Sequence, residues 1–176
     1  TLTDAMERYG GYTEGDWENP DISKGGTDKY YVFAYDWRLD NVENARLLIR
    51  KIENLKQKFS NPNLRFNVMA HSMGGLLARY AAMYGDNDLP ANGEKPVPNW
   101  QGARHFNKIF MFGTPNEGAM ATLDTLLNGY RIGSFTIENL GSEVSITAPS
   151  VFQLLPHQGT AKFYDENLQP IEIDIF

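Results

Sequence analysis

The chain lacks cysteine, and this absence excludes disulfide bonds and thiolate metal sites while leaving the cellular compartment open. It also lacks clusters of lysine and arginine. The formal net charge of −6 disfavours binding to nucleic acid or to an anionic membrane surface. Long apolar runs are missing as well, since stretches such as "KIFMFG" are only strand-sized. The sequence therefore predicts neither a signal peptide nor a transmembrane helix.

What is present has the composition of a folded globular chain. Of the 176 residues, 41% are hydrophobic and 22% are charged, and this length supports one domain with a core of its own. No cofactor motif is found: "SMGG" is not followed by the Lys-Ser/Thr pair of a phosphate-binding loop. No two histidines stand at the spacing of metal ligands, so we expect no cofactor and no metal.

Strand patterns alternate with helix patterns through the first two thirds of the chain. Apolar runs and spacings of three and four predict a strand over 30–37, a helix over 40–59, a strand over 64–70, a helix over 74–84 and a strand over 107–115. Such alternation is typical of an α/β fold, in which helices cover both faces of a parallel sheet. The first strand is expected to be buried on both faces. Residues 1–29, rich in Gly, Asp and Thr, are predicted to be loop.

The last third of the chain has a different texture. Helical patterns occur within 117–130 and 142–156, and the segment 161–176 predicts two short strands around a turn at Glu166–Asn167. We find no internal repeat and no low-complexity tract. We therefore expect this part of the chain to be an addition to the parallel sheet and not to supply further strands of it.

The segment "VMAHSMGG" places a serine where a predicted strand meets a predicted helix. In a nucleophile elbow the chain turns sharply at the nucleophile, and the residues two before and two after it are small. Here those residues are Ala70 and Gly74, and Gly75 gives additional clearance. The helix N-terminus and the N–H of Met73 would face an oxyanion formed on a substrate. The pattern thus predicts that Ser72 is a catalytic nucleophile.

A simpler interpretation of the same serine is a strand-to-helix turn in which Ser72 caps the helix. A small-x-Ser-x-Gly pattern alone is weak, and the buried strand before it and the helix after it favour the elbow. His71 is not a candidate base, because a residue adjacent to the nucleophile in a sharp turn points elsewhere.

Four segments occur in order along the chain: "AYDWRL" at 34–39, "AHSMGG" at 70–75, "FGTPNEG" at 112–118 and "APSVFQLLP" at 148–156. Taken together, they resemble the lecithin:cholesterol acyltransferase-like branch of the α/β-hydrolase superfamily. The tail "FYDENLQPIEIDIF" is also similar to bacterial relatives, so the resemblance covers about residues 30–176. It implies a serine hydrolase or acyltransferase that acts on lipid or other carboxylic esters through a Ser–Asp–His triad and an acyl-enzyme on Ser72.

The resemblance also implies roles for residues around the serine. The Met73 N–H matches one oxyanion donor. Asp36, Trp37 and Arg38 stand at the carboxyl end of a predicted strand, where open parallel sheets bind ligands. An Arg–Asp pair that merely fixes a loop explains this motif equally well. Asn116 departs slightly from the family, because many of these lipases have histidine there.

The implied fold is an α/β-hydrolase-type parallel sheet flanked by helices, with a helical and hairpin cap segment. The sheet is expected to be incomplete, since three strands are predicted where the fold uses about eight. Residues 1–114 are predicted to form a partial core, of which 1–29 are loop-rich, and residues 115–176 a cap or lid. The chain begins with Thr rather than Met, and we expect it to be the middle of a longer enzyme.

The partners of a triad are harder to find, because this fold orders them as Ser, acid and His. His105 precedes a predicted strand and is expected at the opposite end of the sheet from Ser72. His157 has the right order, with Asp124 upstream of it, but it matches the cap of the family. We therefore expect the acid and the base beyond Phe176.

Two functions remain open at this point. The first is a lipase or acyltransferase, with water or an alcohol as acyl acceptor and a lipid or ester as substrate. The second is a noncatalytic α/β-hydrolase-like binding module that kept the elbow and lost the triad. Apolar side chains of the cap either line an acyl pocket or pack on the sheet; they are Met120, Leu123, Leu126, Leu127, Val151, Phe152, Leu154 and Leu155. The sequence does not indicate an oligomeric state.

Overall fold

The computed structural model describes residues 1–23, 25–131, 139–157 and 159–173, in which short strands alternate with helices. The α-helices there are α1 (Leu2–Gly10), α2 (Asn41–Lys58), α3 (Met73–Tyr84), α4 (Ala121–Asn128), α5 (Ser142–Ser145) and α6 (Pro149–Phe152). The strands are β1 (Thr13–Glu14), β2 (Lys29–Tyr30), β3 (Phe66–His71), β4 (Phe106–Phe112), β5 (Tyr130–Arg131), β6 (Asn139–Leu140), β7 (Phe163–Tyr164) and β8 (Pro170–Ile171). Two 3₁₀ helices, Ala91–Gly93 and Gln101–His105, lie between α3 and β4.

Helix α1 lies in a segment predicted to be loop, and that prediction is wrong for residues 2–10. The hydroxyl of Thr1 accepts a hydrogen bond from Asp4 N at 3.2 Å, and the Asp4 carboxylate accepts one from the terminal amine at 2.6 Å. This reciprocal arrangement is a capping box. None of the α1 residues is buried. The sequence signals for this helix were the capping box and the apolar residues Leu2, Ala5, Met6 and Tyr9, which stand at helical spacings of three and four.

The apolar run predicted as the first core strand is a strand only at its beginning. β2 ends at Tyr30, and residues 31–36 have no strand pairing within the described chain. Burial on both faces is not observed either, since Val32 is 46% exposed. One side of the run instead contacts Trp17, whose ring lies 5.1 Å from that of Tyr31. Apolar character indicates a tendency to be buried, but strand pairing also needs a neighbour that the run itself does not specify.

The described strands pair two by two. β1 pairs with β2 in parallel, with Thr13 opposite Lys29 and Glu14 opposite Tyr30. β5 pairs with β6 in antiparallel, with Tyr130 opposite Leu140 and Arg131 opposite Asn139. β7 also pairs with β8 in antiparallel, with Phe163 opposite Ile171 and Tyr164 opposite Pro170. β3 and β4 are also hydrogen-bonded neighbours. Asn107 Nδ2 donates to Asn67 Oδ1 (3.0 Å) near the start of both strands, and Ser72 N donates to Phe112 O (2.9 Å) at the end of both. β3 and β4 therefore run in the same direction.

Helices with small parallel sheets give an α/β structure, as the sequence predicts at this level. The larger α/β-hydrolase-type sheet remains a prediction.

The chain divides into two compact units: unit 1 is Thr1–Asp36, Val42–Met69 and Leu77–Phe110, and unit 2 is Trp37–Asn41, Ala70–Leu76 and Met111–Phe176. The division into a core over 1–114 and a cap over 115–176 also remains a prediction.

The core of unit 1 is built on α2 and α3. The predicted apolar stripe of α2 is buried, with Ile52 and Leu55 at most 2% exposed, and α3 contributes Leu77 and Ala81 with the same low exposure. Burial of a large aliphatic side chain stabilises the fold by roughly 1.5–3 kcal/mol. The spacing of three and four along α2 therefore identified the main buried surface of this unit.

Unit 2 contains α4, α5 and α6 and a terminal hairpin. Ala148 and Val151 are buried there. The hairpin β7–β8 encloses the turn predicted at Glu166–Asn167, and that prediction is confirmed. The Asp165 carboxylate holds the turn, because its Oδ1 accepts hydrogen bonds from Asn167 N (2.9 Å) and Gln169 N (2.8 Å).

Candidate active site

Ser72 is the single residue between a strand and a helix. β3 ends at His71 and α3 begins at Met73. The backbone of Ser72 has φ 53°, in the left-handed region that residues with a side chain rarely adopt. Such a conformation costs about 1–3 kcal/mol and persists only when surrounding contacts enforce it. A nucleophile elbow has this combination of strand, strained residue and helix.

Positive φ alone does not single out Ser72, because three other residues with side chains share it among those that the structure describes. Ser60 lies just after α2, Trp100 precedes a 3₁₀ helix, and Leu168 lies in the turn between β7 and β8. These are helix ends and turns, where the left-handed conformation is common. Of the four residues, Ser72 is the one that directly links a strand to a helix.

Backbone hydrogen bonds hold the turn at Ser72 from both sides. Ser72 N donates to Phe112 O at 2.9 Å, at the end of β4, and Gly75 N donates to Ser72 O at 3.0 Å. The first bond ties the serine to the neighbouring strand, and the second closes the first turn of α3. The side chain of Ser72 is half-buried and makes no hydrogen bond with the part of the chain that the structure describes.

Gly75 lies in close contact with the side chain of Thr114. A Cβ atom on this residue would lie 1.9 Å from Thr114 Oγ1 and 2.8 Å from Thr114 Cβ, so Gly75 cannot carry a side chain without a shift of Thr114. Ala70 is buried, with 8% exposure. The clearance roles of Ala70, Gly74 and Gly75 remain predictions. Thr114, which sequence reasoning did not identify, follows β4 closely and shows no local pattern that marks the contact.

Met73 is the first residue of α3. The N–H groups in the first turn of a helix lack partners within the helix, and the positive end of the helix dipole lies there. This arrangement suits an oxyanion held against the Met73 N–H. Its use as an oxyanion donor remains a prediction.

The three histidines of the chain all lie among the described residues, and none hydrogen-bonds Ser72 through its side chain. His71 is exposed, and its side chain has no hydrogen bond within the described chain. His157 is exposed, and its backbone N–H donates to Glu117 O at 3.0 Å. His105 precedes β4, whereas Ser72 bonds to the last residue of that strand. Among the described residues, therefore, no histidine side chain is hydrogen-bonded to Ser72.

The motif with Asp36, Trp37 and Arg38 forms the connection into α2. The backbone carbonyl of Asp36 accepts a hydrogen bond from Asn44 Nδ2 at 2.9 Å, and Trp37 is 40% exposed. This bond fixes the position of the segment relative to the first turns of α2. A role of the three residues near the catalytic serine remains a prediction.

Two of the segments that carry the family resemblance pair with each other in unit 2. Ala119 N donates to Leu154 O at 2.9 Å, and His157 N donates to Glu117 O at 3.0 Å. Gly118 has φ 82°, and a Cβ on it would meet Leu155 O at 2.2 Å, so glycine is required at this crossing on both counts. Asn116 belongs to the same turn, where its N–H donates to Thr114 O at 2.9 Å.

Gln153, a residue of the segment 148–156 that sequence reasoning missed, links this segment to the start of α2. Gln153 Oε1 accepts a hydrogen bond from Asn41 N at 2.9 Å, and Gln153 Nε2 donates to Asp40 Oδ1 at 2.9 Å. Asn41 is the first residue of α2, so its N–H has no partner within the helix. Gln153 therefore completes the cap of a helix that begins 112 positions earlier in the chain.

The apolar side chains of the cap segment divide into buried and exposed groups. Val151 is 5% exposed and packs inside unit 2. Met120, Leu127 and Phe152 are 48%, 76% and 48% exposed. Packing therefore explains the first, while the exposed side chains are free to contact an apolar ligand. An acyl pocket lined by these residues remains a prediction.

A buried polar cluster in unit 1 was not predicted. His105 is 1% exposed and Lys56 4% exposed, and Lys56 Nζ lies 3.1 Å from His105 Nδ1. Burial, and next the charge of Lys56, lower the pKa of His105; burial also lowers the pKa of Lys56. His105 and Glu53 line a cavity of about 450 Å³, and Ser72 does not line it. The cluster is therefore a separate feature of unit 1, and the proposed role of Ser72 does not depend on it.

Two further findings bear on the class of protein. Among the residues that the structure describes, no group of three or more His, Cys, Asp or Glu could hold a metal ion. In the same part of the chain, no helix has the length and apolar character needed to span a bilayer.

Comparison with known proteins identifies a family. A family model described as lecithin:cholesterol acyltransferase matches residues 26–175. No curated protein and no solved structure matches the chain.

Proposed function

The chain belongs to the lecithin:cholesterol acyltransferase family, and from this premise we propose that Ser72 is the nucleophile of an acyl transfer reaction on lipid esters. Family membership indicates an acyltransferase or esterase that acts on lipids. The identity of the nucleophile and the route through an acyl-enzyme are our proposal. The observation that carries it is the strained backbone of Ser72 (φ 53°) between β3 and α3.

The reaction begins when Ser72 Oγ attacks the carbonyl carbon of the ester and passes its proton to a base. The carbonyl oxygen becomes an oxyanion, which the Met73 N–H and the positive end of α3 stabilise. The C–O bond to the alcohol then breaks, the alcohol leaves with a proton from the same base, and the acyl group remains on Ser72. Water or a second alcohol accepts the acyl group in the reverse sequence.

A serine hydroxyl needs a base to act as a nucleophile at neutral pH, and removing the base costs most of the rate. The three histidine side chains do not hydrogen-bond Ser72, and its own side chain has no hydrogen bond with the described residues. We propose that the catalytic acid and base lie beyond Phe176, as the triad order of the family implies. The proposed chemistry uses no cofactor.

The exposed apolar side chains of the cap segment support a lipid substrate. Met120 and Phe152, each 48% exposed, lie in unit 2, as Ser72 does. A side chain that exposes this much apolar surface gains free energy when an acyl chain covers it. We propose that these residues contact the acyl chain.

A fluorophosphonate probe tests the nucleophile. The probe would be added to the 176-residue chain and to the full-length gene product, each beside its Ser72→Ala variant, and intact mass would report the adduct. We expect rapid, serine-dependent labelling of the full-length protein and slow labelling of the chain alone.

The two outcomes that contradict the proposal differ. Rapid labelling of the 176-residue chain, lost in Ser72→Ala, would refute the external base, because the base would have to lie within the chain. A folded full-length protein that is never labelled would refute the nucleophile, and a noncatalytic lipid-binding module would then be the better interpretation.

A further inference from the structure

We propose that Thr114 is a positioning residue for Ser72, one that holds the strained serine backbone and the first turn of α3 in place. This inference rests on the proposed function, since it concerns the same serine. It extends that function because the geometry of the nucleophile would then depend on the side chain of Thr114, which lies in a different part of the sequence.

The first observation is the contact between Thr114 and Gly75. Thr114 Oγ1 lies 1.9 Å from the point where a Gly75 Cβ would be, so the threonine side chain rests directly on the backbone of α3. In place of that Cβ stands a Cα–H bond directed at the oxygen, a geometry that allows a weak Cα–H···O contact. No other side chain separates the two residues.

The second observation concerns the hydroxyl of Thr114 itself. Its oxygen is buried and has no hydrogen-bond partner among the described residues. A buried polar atom without a partner is unfavourable, and its presence needs an explanation. Contact of Thr114 with the first turn of α3 provides one: the side chain acts there through its shape.

The third observation is that residues 112–114 contact the turn at two points. Phe112 O accepts the hydrogen bond of Ser72 N (2.9 Å), and Thr114 covers Gly75, whose own N–H donates to Ser72 O (3.0 Å). Gly113 between them has φ 58°. The segment therefore contacts both ends of the turn that carries the nucleophile.

These contacts explain how the strain at Ser72 persists. A backbone in a sparsely populated region relaxes unless its surroundings over-determine it. The bond to Phe112 fixes the start of the turn, and Thr114 prevents the first turn of α3 from moving away from β4. Without Thr114, Gly75 could shift, Ser72 could relax, and the Met73 N–H would change direction.

A size exchange tests the proposal. Gly75→Ala introduces the Cβ that meets Thr114, and Thr114→Gly removes all three of the atoms nearest to that Cβ. The variants Gly75→Ala, Thr114→Gly, the double variant and Thr114→Ser would be made in the full-length protein. Thr147→Gly serves as the matched control, because Thr147 is an exposed threonine of unit 2 whose hydroxyl bonds only Val144 O, at 2.8 Å.

Two readouts are needed, and one of them does not depend on catalysis. Hydrogen exchange of the Ser72 and Gly75 amides reports whether the turn is held. The rate constant of phosphonylation of Ser72 reports whether the nucleophile is oriented. We expect Gly75→Ala to slow phosphonylation about 100-fold, the effect of a displacement of roughly 1 Å. In the Thr114→Gly background, Gly75→Ala should slow phosphonylation by less than about threefold, because the atoms that the new Cβ would meet are absent.

Thr114→Gly alone should speed hydrogen exchange of the Ser72 and Gly75 amides. Thr114→Ser should not speed it, because serine retains the oxygen, and neither should the control Thr147→Gly. Equal costs of Gly75→Ala in the two backgrounds would overturn the proposal. So would unchanged amide exchange in Thr114→Gly, a comparison that remains available if Gly75→Ala does not fold. If the wild-type protein is never phosphonylated, the proposed function fails, and exchange of the two amides alone decides whether Thr114 positions the turn.

Discussion

The hydrogen bonds of Gln153 give a prediction whose size can be worked out from the structure. Gln153 accepts from Asn41 N and donates to Asp40 Oδ1, both at 2.9 Å. Gln153→Glu keeps an acceptor for Asn41 N but replaces the donor with a negatively charged oxygen close to the Asp40 carboxylate. The variant therefore exchanges an attraction for a repulsion while changing almost nothing in size.

Two effects of Gln153→Glu lower the free energy of unfolding, and a third partly offsets them. Gln153 is exposed and Asp40 half-exposed, so the repulsion is best computed with the dielectric constant of water, and it amounts to about 1.4 kcal/mol. The lost hydrogen bond adds about 1 kcal/mol. A second negative charge at the N-terminus of α2 returns roughly 0.3–1 kcal/mol. The free energy of unfolding should fall by about 2 kcal/mol, the sum of these three contributions.

Urea unfolding at pH 7 and low salt measures this change, and Asp40→Asn provides the decisive comparison. In the double variant the new amide at position 40 donates to the new carboxylate at position 153, so stability should return to within about 1 kcal/mol of the wild type. Gln153→Met is the matched control, because it loses both bonds and Asp40→Asn cannot restore them. A double variant no more stable than Gln153→Glu would refute the reasoning, and so would rescue of Gln153→Met to the same extent.

Two titrations give further predictions. Because burial and the charge of Lys56 lower the pKa of His105, the unfolded chain takes up a proton at about pH 6.5 before the folded chain does. The free energy of unfolding should therefore decrease on acidification through that pH, and urea unfolding of His105→Gln should show a flatter dependence; an equal slope would contradict this. The hydrogen bond to Glu7 raises the pKa of Tyr30 to about 12. The stabilisation that this hydrogen bond gives the fold should disappear as the pH rises from about 10 to about 12. Ultraviolet titration of the tyrosines should show a late ionisation phase that is missing from Tyr30→Phe.

The parts of the fold that the sequence predicts are those with a local or periodic signal. Spacings of three and four along α2 identified Ile52 and Leu55 as core residues, and both are buried. The position of Ser72 between a strand and a helix was predictable for the same reason: a β-rich run, a serine and two glycines followed by a helix pattern form one continuous segment. Periodicity and turn residues act over distances of a few residues, so a single sequence contains them in full.

Contacts between distant segments were not predictable in this way. The run 31–36 is apolar, but whether it pairs depends on a neighbouring strand, and the structure describes none beside it. Thr114 touches Gly75 from 39 positions later in the chain, and Gln153 caps α2 from 112 positions after Asn41. Neither residue is unusual in its own segment, so only the fold identifies the contact.

The long-range contacts also explain how unit 2 is assembled. Ser72 bonds to Phe112, the segment around Ala119 bonds to Leu154, and the neighbouring Gln153 bonds to Asn41. Segments that are far apart in the sequence thereby form one continuous series of contacts that begins at the strained serine. The strain of about 1–3 kcal/mol at Ser72 cannot be offset by β3 and α3 alone, because either element would be more stable with a relaxed residue between them. It follows that the geometry of the nucleophile depends on packing beyond the elbow segment, and that a substitution at Thr114 should affect Ser72 more than an exposed position nearer in sequence does.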